Sequence, residues 1–133
     1  MFLIDTDVIS ALAKRQPSRN VTSWFGRQRD ADLFLSVISV GEIERGIVLK
    51  RRSEPGFANA LAAWLDQVLA TYAERILPFD LAAARRWGQL SAAIGNDGAD
   101  LQIAATAIEH GLTIVTRNTA DFEPSGVKTL NPF

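Results

Sequence analysis

The sequence predicts a single α/β domain in which a central, mostly parallel sheet of short strands is flanked by helices. Three observations lead there. Short apolar runs, MFLI at 1–4, LFLSV at 33–37 and LTIV at 112–115, have the length of strands buried on both faces. They alternate with stretches whose apolar residues recur at helical spacing, the pattern of a parallel sheet with crossover helices. The 133 residues make one domain's worth of chain, 1–133, with no linker, repeat or low-complexity segment to divide it.

Each element has its own signal. Met1–Ile4 stops at Asp5-Thr6-Asp7, so a strand is followed at once by a helix start, and Val8, Ile9, Leu12 and Ala13 then recur with helical spacing. Pro17 and Ser18 punctuate before a second short helix marked by Val21, Trp24 and Phe25. Leu33–Val37 is the next strand, and Ser39 opens a helix running towards Lys50. Lys50–Gly56 is polar and reads as a mobile loop. Phe57, Leu61, Trp64, Leu65, Val68, Leu69 and Tyr72 mark the strongest amphipathic helix. Ile76-Leu77 before Pro78 is a short strand, Leu81–Ile94 an alanine-rich helix, and Gly95–Gly98 a turn. Asp100–Glu109 is helical and ends at His110-Gly111, with glycine just past the helix end. Leu112–Val115 is a strand, and Val127–Leu130 an edge strand.

Composition removes several kinds of chemistry. Cysteine is absent, so there are no disulfides, thiolate metal sites or cysteine nucleophiles. A single histidine, His110, argues against a His-rich zinc cluster and against an ordinary Ser-His-Asp triad. No apolar run approaches the ~20 residues of a membrane helix, and Asp5 interrupts the N-terminus too early for a signal peptide's apolar core. The cytoplasm is the expected compartment. A net charge of −1 argues against coating nucleic acid by bulk positive charge, though not against cutting it at an acidic metal site.

Four acids share one kind of position. Asp5 ends the first strand, Glu42 lies in the first turn of the helix after Leu33–Val37, Asp100 starts the helix after the turn, and Asp121 follows the Leu112–Val115 strand. In an open parallel sheet, ligand sites form at the carboxyl ends of strands, where helices begin. All four can point into one crevice, where their mutual repulsion is most simply relieved by a divalent cation. Oxygen ligands without sulfur or imidazole suit Mg²⁺ or Mn²⁺. Capping is the competing explanation. Ser39-Val40-Gly41-Glu42 has capping-box spacing, and Asp97–Asp100 and Asn118–Asp121 repeat it. Acids in first turns also favour the helix dipole. Capping accounts for any one acid, but not for four facing the same end of the sheet.

With these residues in view, the chain resembles the PIN-domain ribonucleases, specifically the VapC-type toxins of bacterial toxin–antitoxin pairs. FLIDTDVIS (2–10), SVISVGEIERGI (36–47), DLQIAATAIEHGLTIVTRNTADF (100–122) and the closing Leu130-Asn131-Pro132 carry the resemblance, which spans nearly the whole chain in order. It implies a divalent metal, Mg²⁺ or Mn²⁺, held by Asp5, Glu42 and Asp100 with Asp121 as the fourth acid. It also implies endonucleolytic hydrolysis of RNA leaving a 5′-phosphate and a 3′-hydroxyl, homodimerisation, and inhibition by a small cognate antitoxin covering the crevice. Thr116 and Asn118 match polar positions that would support the fourth acid. Asp7 stands where the family more commonly has asparagine; it is either an added ligand or the cap of the first helix.

Arg117, beside the proposed crevice, is the candidate contact to a substrate phosphate. Lys50-Arg51-Arg52 reads either as a solvated loop or as a grip on RNA or the antitoxin. His110 reads as a surface residue that suits a helix C-terminus. Trp24, Trp64 and Trp87 sit among helical apolar positions and read as core or dimer interface. Two other functions compete. One is a haloacid-dehalogenase-like phosphohydrolase with Asp5 as nucleophile, which would need a downstream lysine that no position between Lys50 and Lys128 supplies. The other is a non-catalytic module that only binds RNA or a partner.

Overall fold

In the computed structural model, which describes residues 1–133, strand β1 (Phe2–Ile4) leads into helix α1 (Thr6–Ala11), and α2 (Arg19–Gly26) carries the chain to β2 (Leu33–Ser36). Helices α3 (Val37–Arg51) and α4 (Pro55–Tyr72) precede β3 (Ile76–Leu77). Then come α5 (Leu81–Ile94), α6 (Ala99–His110), β4 (Thr113–Val115), α7 (Thr119–Phe122) and β5 (Thr129–Leu130). The five strands form one sheet in the order β3-β2-β1-β4-β5, and every pairing is parallel. No helix is long and apolar enough to cross a membrane.

The short strands are continuously apolar because both faces of the sheet are covered. Successive side chains on β1 take opposite faces, as the strand period requires. Ile4 joins a core with Val8, Trp24, Ile43, Ile47 and Leu65, drawn from α1 to α4. Leu3 joins a second with Ile103, Ala104, Ala107 and Phe122, drawn from α6 and α7. Trp24 belongs to the first core, edge-on to Phe2 at 5.1 Å and to Phe25 at 5.2 Å between ring centroids. Trp64 packs against the same core, and Trp87 is half-buried on α5. His110 is exposed in the last turn of α6, which Gly111 ends at a φ of 65°, the left-handed conformation glycine adopts without strain.

Besides shifts of one or two residues at several element ends, two boundaries differ from the sequence expectation in ways that matter. Helix α3 begins at Val37, capped by the Ser36 hydroxyl, which accepts the Ile38 N–H at 3.0 Å. Ser39 is therefore inside the helix and nearly inaccessible, not its cap. The last strand residue is itself a good cap, so strand passes into helix without a loop. The predicted mobile loop at 50–56 also shrinks. Lys50 and Arg51 still belong to α3, Pro55 already opens α4, and Lys50 pairs with Glu54 at 3.2 Å across the short link.

Topology places the site. The chain moves from β1 outwards through β2 to β3, then crosses to the other side of β1 to form β4 and β5. The order reverses between β1 and β4, and beyond the carboxyl ends of such a pair lies the crevice where open α/β sheets bind ligands. Ile4 pairs with Val115, and the Asp5 N–H continues the ladder to the Val115 carbonyl at 2.9 Å. The residues that open onto that crevice are therefore Asp5 and Thr116.

Candidate active site

Asp5 is the anchor. It is 5% exposed, and both carboxylate oxygens are engaged. Oδ1 accepts the Thr6 N–H at 2.8 Å, making Asp5 the cap of α1, and Oδ2 accepts the hydroxyl of fully buried Thr116 at 2.8 Å. Thr116 Oγ1 in turn accepts the Asn118 N–H at 3.0 Å, so the loop after β4 orients the acid at the end of β1. Burial, together with the charge of Asp7, pushes the Asp5 carboxyl from 3.8 up to about 7, against the pull of these hydrogen bonds.

Asp7 is not the helix cap. From the first turn of α1 its Oδ2 accepts the Arg117 N–H at 3.2 Å and faces Asn118 Nδ2 at 3.4 Å, tying α1 to the same loop. Its other oxygen, Oδ1, is buried with no donor. Such an orphaned acceptor is uncommon and costly. Burial raises the Asp7 carboxyl as well.

Glu42, Asp100 and Asp121 approach from three other helices. None of the three makes a capping bond: α3 is capped by Ser36, and neither Gly98 before α6 nor Asn118 before α7 uses a side chain to cap. Glu42 is one turn further into α3 than capping-box spacing suggested. Its Oε1 lies 2.7 Å from the Thr6 hydroxyl, which is also 2.8 Å from the Ser39 hydroxyl. With one proton to give, Thr6 donates to the carboxylate and accepts from Ser39. Asp100 is partly buried, and its carboxyl is raised by that burial and by the charges of Asp121, Glu42 and Asp7. Asp100 and Asp121 line a common cavity of about 20 Å³ with Asn96. The acids of four separate elements thus feel one another in one crevice.

That arrangement fits a hard divalent cation. All donors are oxygens, burial raises three carboxyls with neighbouring acids adding to it at Asp5 and Asp100, and one buried acceptor lacks a partner. The side chains as placed do not bring three carboxylates into a single coordination sphere. Mg²⁺ does not require it, since it commonly keeps several waters and uses one or two carboxylates directly.

Arg117 is exposed, with its guanidinium 3.8 Å from the centre of the Phe133 ring, a cation–π contact, while its backbone serves Asp7. Two side chains have roles that the sequence alone did not suggest. Thr6 and Ser39 orient Glu42, and their signal was a hydroxyl between two acids and a serine inside an apolar helix face.

Comparison with known proteins gives one consistent answer. The family model described as PIN domain matches residues 2–123. VapC ribonuclease Y4jK of Sinorhizobium fredii is 40% identical, covering the whole of this chain and 98% of that protein. Toxin FitB of Neisseria gonorrhoeae is 37% identical, covering the whole chain and 99% of that protein. The crystal structure of FitAcB from Neisseria gonorrhoeae superposes with a TM-score of 0.88 at 37% identity, over 99% of this chain and 98% of that one.

Proposed function

This chain belongs to the PIN-domain family, and on that footing we propose that it is a metal-dependent endoribonuclease toxin of the cytoplasm, restrained by a small cognate antitoxin and active as a homodimer. The observation that carries the reading is the crevice itself: a buried aspartate at the sheet's switch point, faced by acids from three other elements, with the Asp100 carboxyl raised by burial and by the charges of Asp121, Glu42 and Asp7. Its relatives include a protein named as a ribonuclease and one named as a toxin, each matched over nearly full length.

In this reading Asp5 and Asp100 would hold the principal Mg²⁺ or Mn²⁺, with Glu42 and Asp121 as the further acids that would contribute to it or to a second ion. The bound cation supplies positive charge at the scissile phosphate and makes the attacking water more acidic. The protein does the rest by orientation. Thr116 and the Thr6 N–H fix both oxygens of Asp5, Thr6 and Ser39 fix Glu42, and Asn118 holds the Thr116 hydroxyl so that its proton points at Asp5. Arg117, stacked on Phe133, contacts a substrate phosphate from the rim. Setting the four acids aside leaves 14 basic against 11 acidic residues, a mildly positive surface suited to weak RNA contact.

Purified protein, unfolded and refolded to strip any copurifying antitoxin, is expected to cut total RNA into discrete fragments with Mg²⁺ or Mn²⁺ and not with EDTA. The water oxygen should end on the 5′-phosphate, with a 3′-hydroxyl as leaving group, so the fragments ligate without prior phosphorylation. Cleavage that persists in EDTA, or 2′,3′-cyclic phosphate ends, would refute the metal-hydrolysis mechanism. Well-folded protein that binds RNA but cuts none would favour the binding-module alternative.

A further inference from the structure

Beside the acid crevice lies an open groove of about 320 Å³, a volume at the lower end of small-ligand sites. It is built from helical faces at i, i+4 spacing: Glu42 and Gly46 on α3, Phe57 and Leu61 on α4, and Thr6 and Ser10 on α1. Thr6 and Glu42 belong to the crevice, so the groove leaves the acids along α3 towards Phe57.

Three features point to what it holds. Phe57 is 54% exposed, a large aromatic face left in water in the first turn of α4. Cations lie along the groove: Lys14 and Arg15 line it, and Lys50 Nζ, paired with Glu54, lies over the Phe57 ring at 6.0 Å from its centre. Gly46 sits in the middle of α3, where glycine costs roughly 1 kcal/mol against alanine. No packing demands it, because a Cβ there would meet nothing within 4 Å. What the glycine does is leave the groove unfilled.

An aromatic platform flanked by cations, opening from a carboxylate centre, matches a single-stranded polyanion with planar bases. We propose that this groove binds the nucleotide next to the scissile phosphate, with its base stacked on Phe57 and a phosphate held by Lys14 and Arg15. The inference rests on the ribonuclease reading and extends it to substrate selection. The sequence around the cut is then chosen by how well a base stacks and fits in this groove, while the acids do the sequence-blind chemistry.

The test measures binding of short, randomised, fluorescently labelled single-stranded RNA with Mg²⁺, in an Asp100→Asn background that prevents cleavage. Phe57→Ala is expected to weaken binding about tenfold and Phe57→Trp to preserve it. Gly46→Leu, which fills the groove, should weaken it similarly. Lys14→Gln with Arg15→Gln should flatten the dependence of log affinity on log salt by about 0.7, the value for one lost phosphate on a single strand. Unchanged affinity and slope in all these variants, with cleavage by the wild type intact, would overturn the inference while sparing the ribonuclease reading. Loss of both RNA binding by the parent and cleavage by the wild type would overturn the two together.

Discussion

Asp5→Asn is expected to slow RNA cleavage by about a thousandfold while making the metal-free protein more stable at pH 7. The first effect follows from the loss of an anchoring carboxylate, since metal-borne charge at a phosphoryl centre supplies several kcal/mol of transition-state stabilisation. The second follows from burial. Asp5 is 5% exposed and stands beside Asp7, so its ionised form is disfavoured without a cation. A carboxamide keeps both contacts with one bond reversed: its oxygen accepts the Thr6 N–H, and its NH₂ donates to the Thr116 hydroxyl that donates to Asp5 in the wild type. The net gain should be on the order of 1–2 kcal/mol, or several degrees in melting temperature. Opposite signs for activity and stability are what a functional residue leaves behind; a residue kept for folding would lose both. An Asp5→Asn protein that melts lower than wild type without metal would contradict the assignment.

The second large effect is on how stability depends on pH. Folded Asp5 holds its proton up to about 7, whereas the unfolded chain releases it near 3.8. Between those values the folded state binds more protons, so metal-free stability falls as pH rises from about 4 to about 7. Burial raises Asp7 and Asp100 in the same direction, adding to the slope. The loss should reach a few kcal/mol by neutral pH. Mg²⁺ should reverse it, by about 2.7 kcal/mol at a hundred times its dissociation constant. That rescue should be large at pH 7 and vanish near pH 4, where the acids are protonated. Thermal melts across this range, with EDTA and with Mg²⁺, check the sign; stability that rises steadily from pH 4 to 7 in EDTA would contradict it.

What was legible in the sequence was what local pattern decides. Leu81–Ile94 was read at its true bounds because Pro78 and Gly95 bracket an unbroken helical pattern. The strands were legible because a sheet covered on both faces needs apolar residues at every position. Ser39 was misread because a capping-box spacing is local and real, yet Ser36, three residues earlier, already occupied the cap. The four acids were placed in one crevice by a topological rule, and their shared charges follow from that placement. Asp7 could not be assigned from sequence, since the groups that engage it come from Arg117 and Asn118, 110 and 111 residues away. Thr6 reaches Ser39 and Glu42 across 33 and 36 residues, and the groove needs three helices at once, so neither leaves a trace in any short window.

The central claim is that these acids form one metal-dependent centre for cutting RNA. It is tested most directly by comparing the Mg²⁺-dependent cleavage rate of Asp100→Asn with that of wild type on the same total RNA, once both are shown to be folded. Asp100 is the acid whose carboxyl is raised by burial and then by the charges of Asp121, Glu42 and Asp7 together. Neutralising it should reduce cleavage to the level seen in EDTA. A folded Asp100→Asn protein that cuts as fast as wild type would contradict the account.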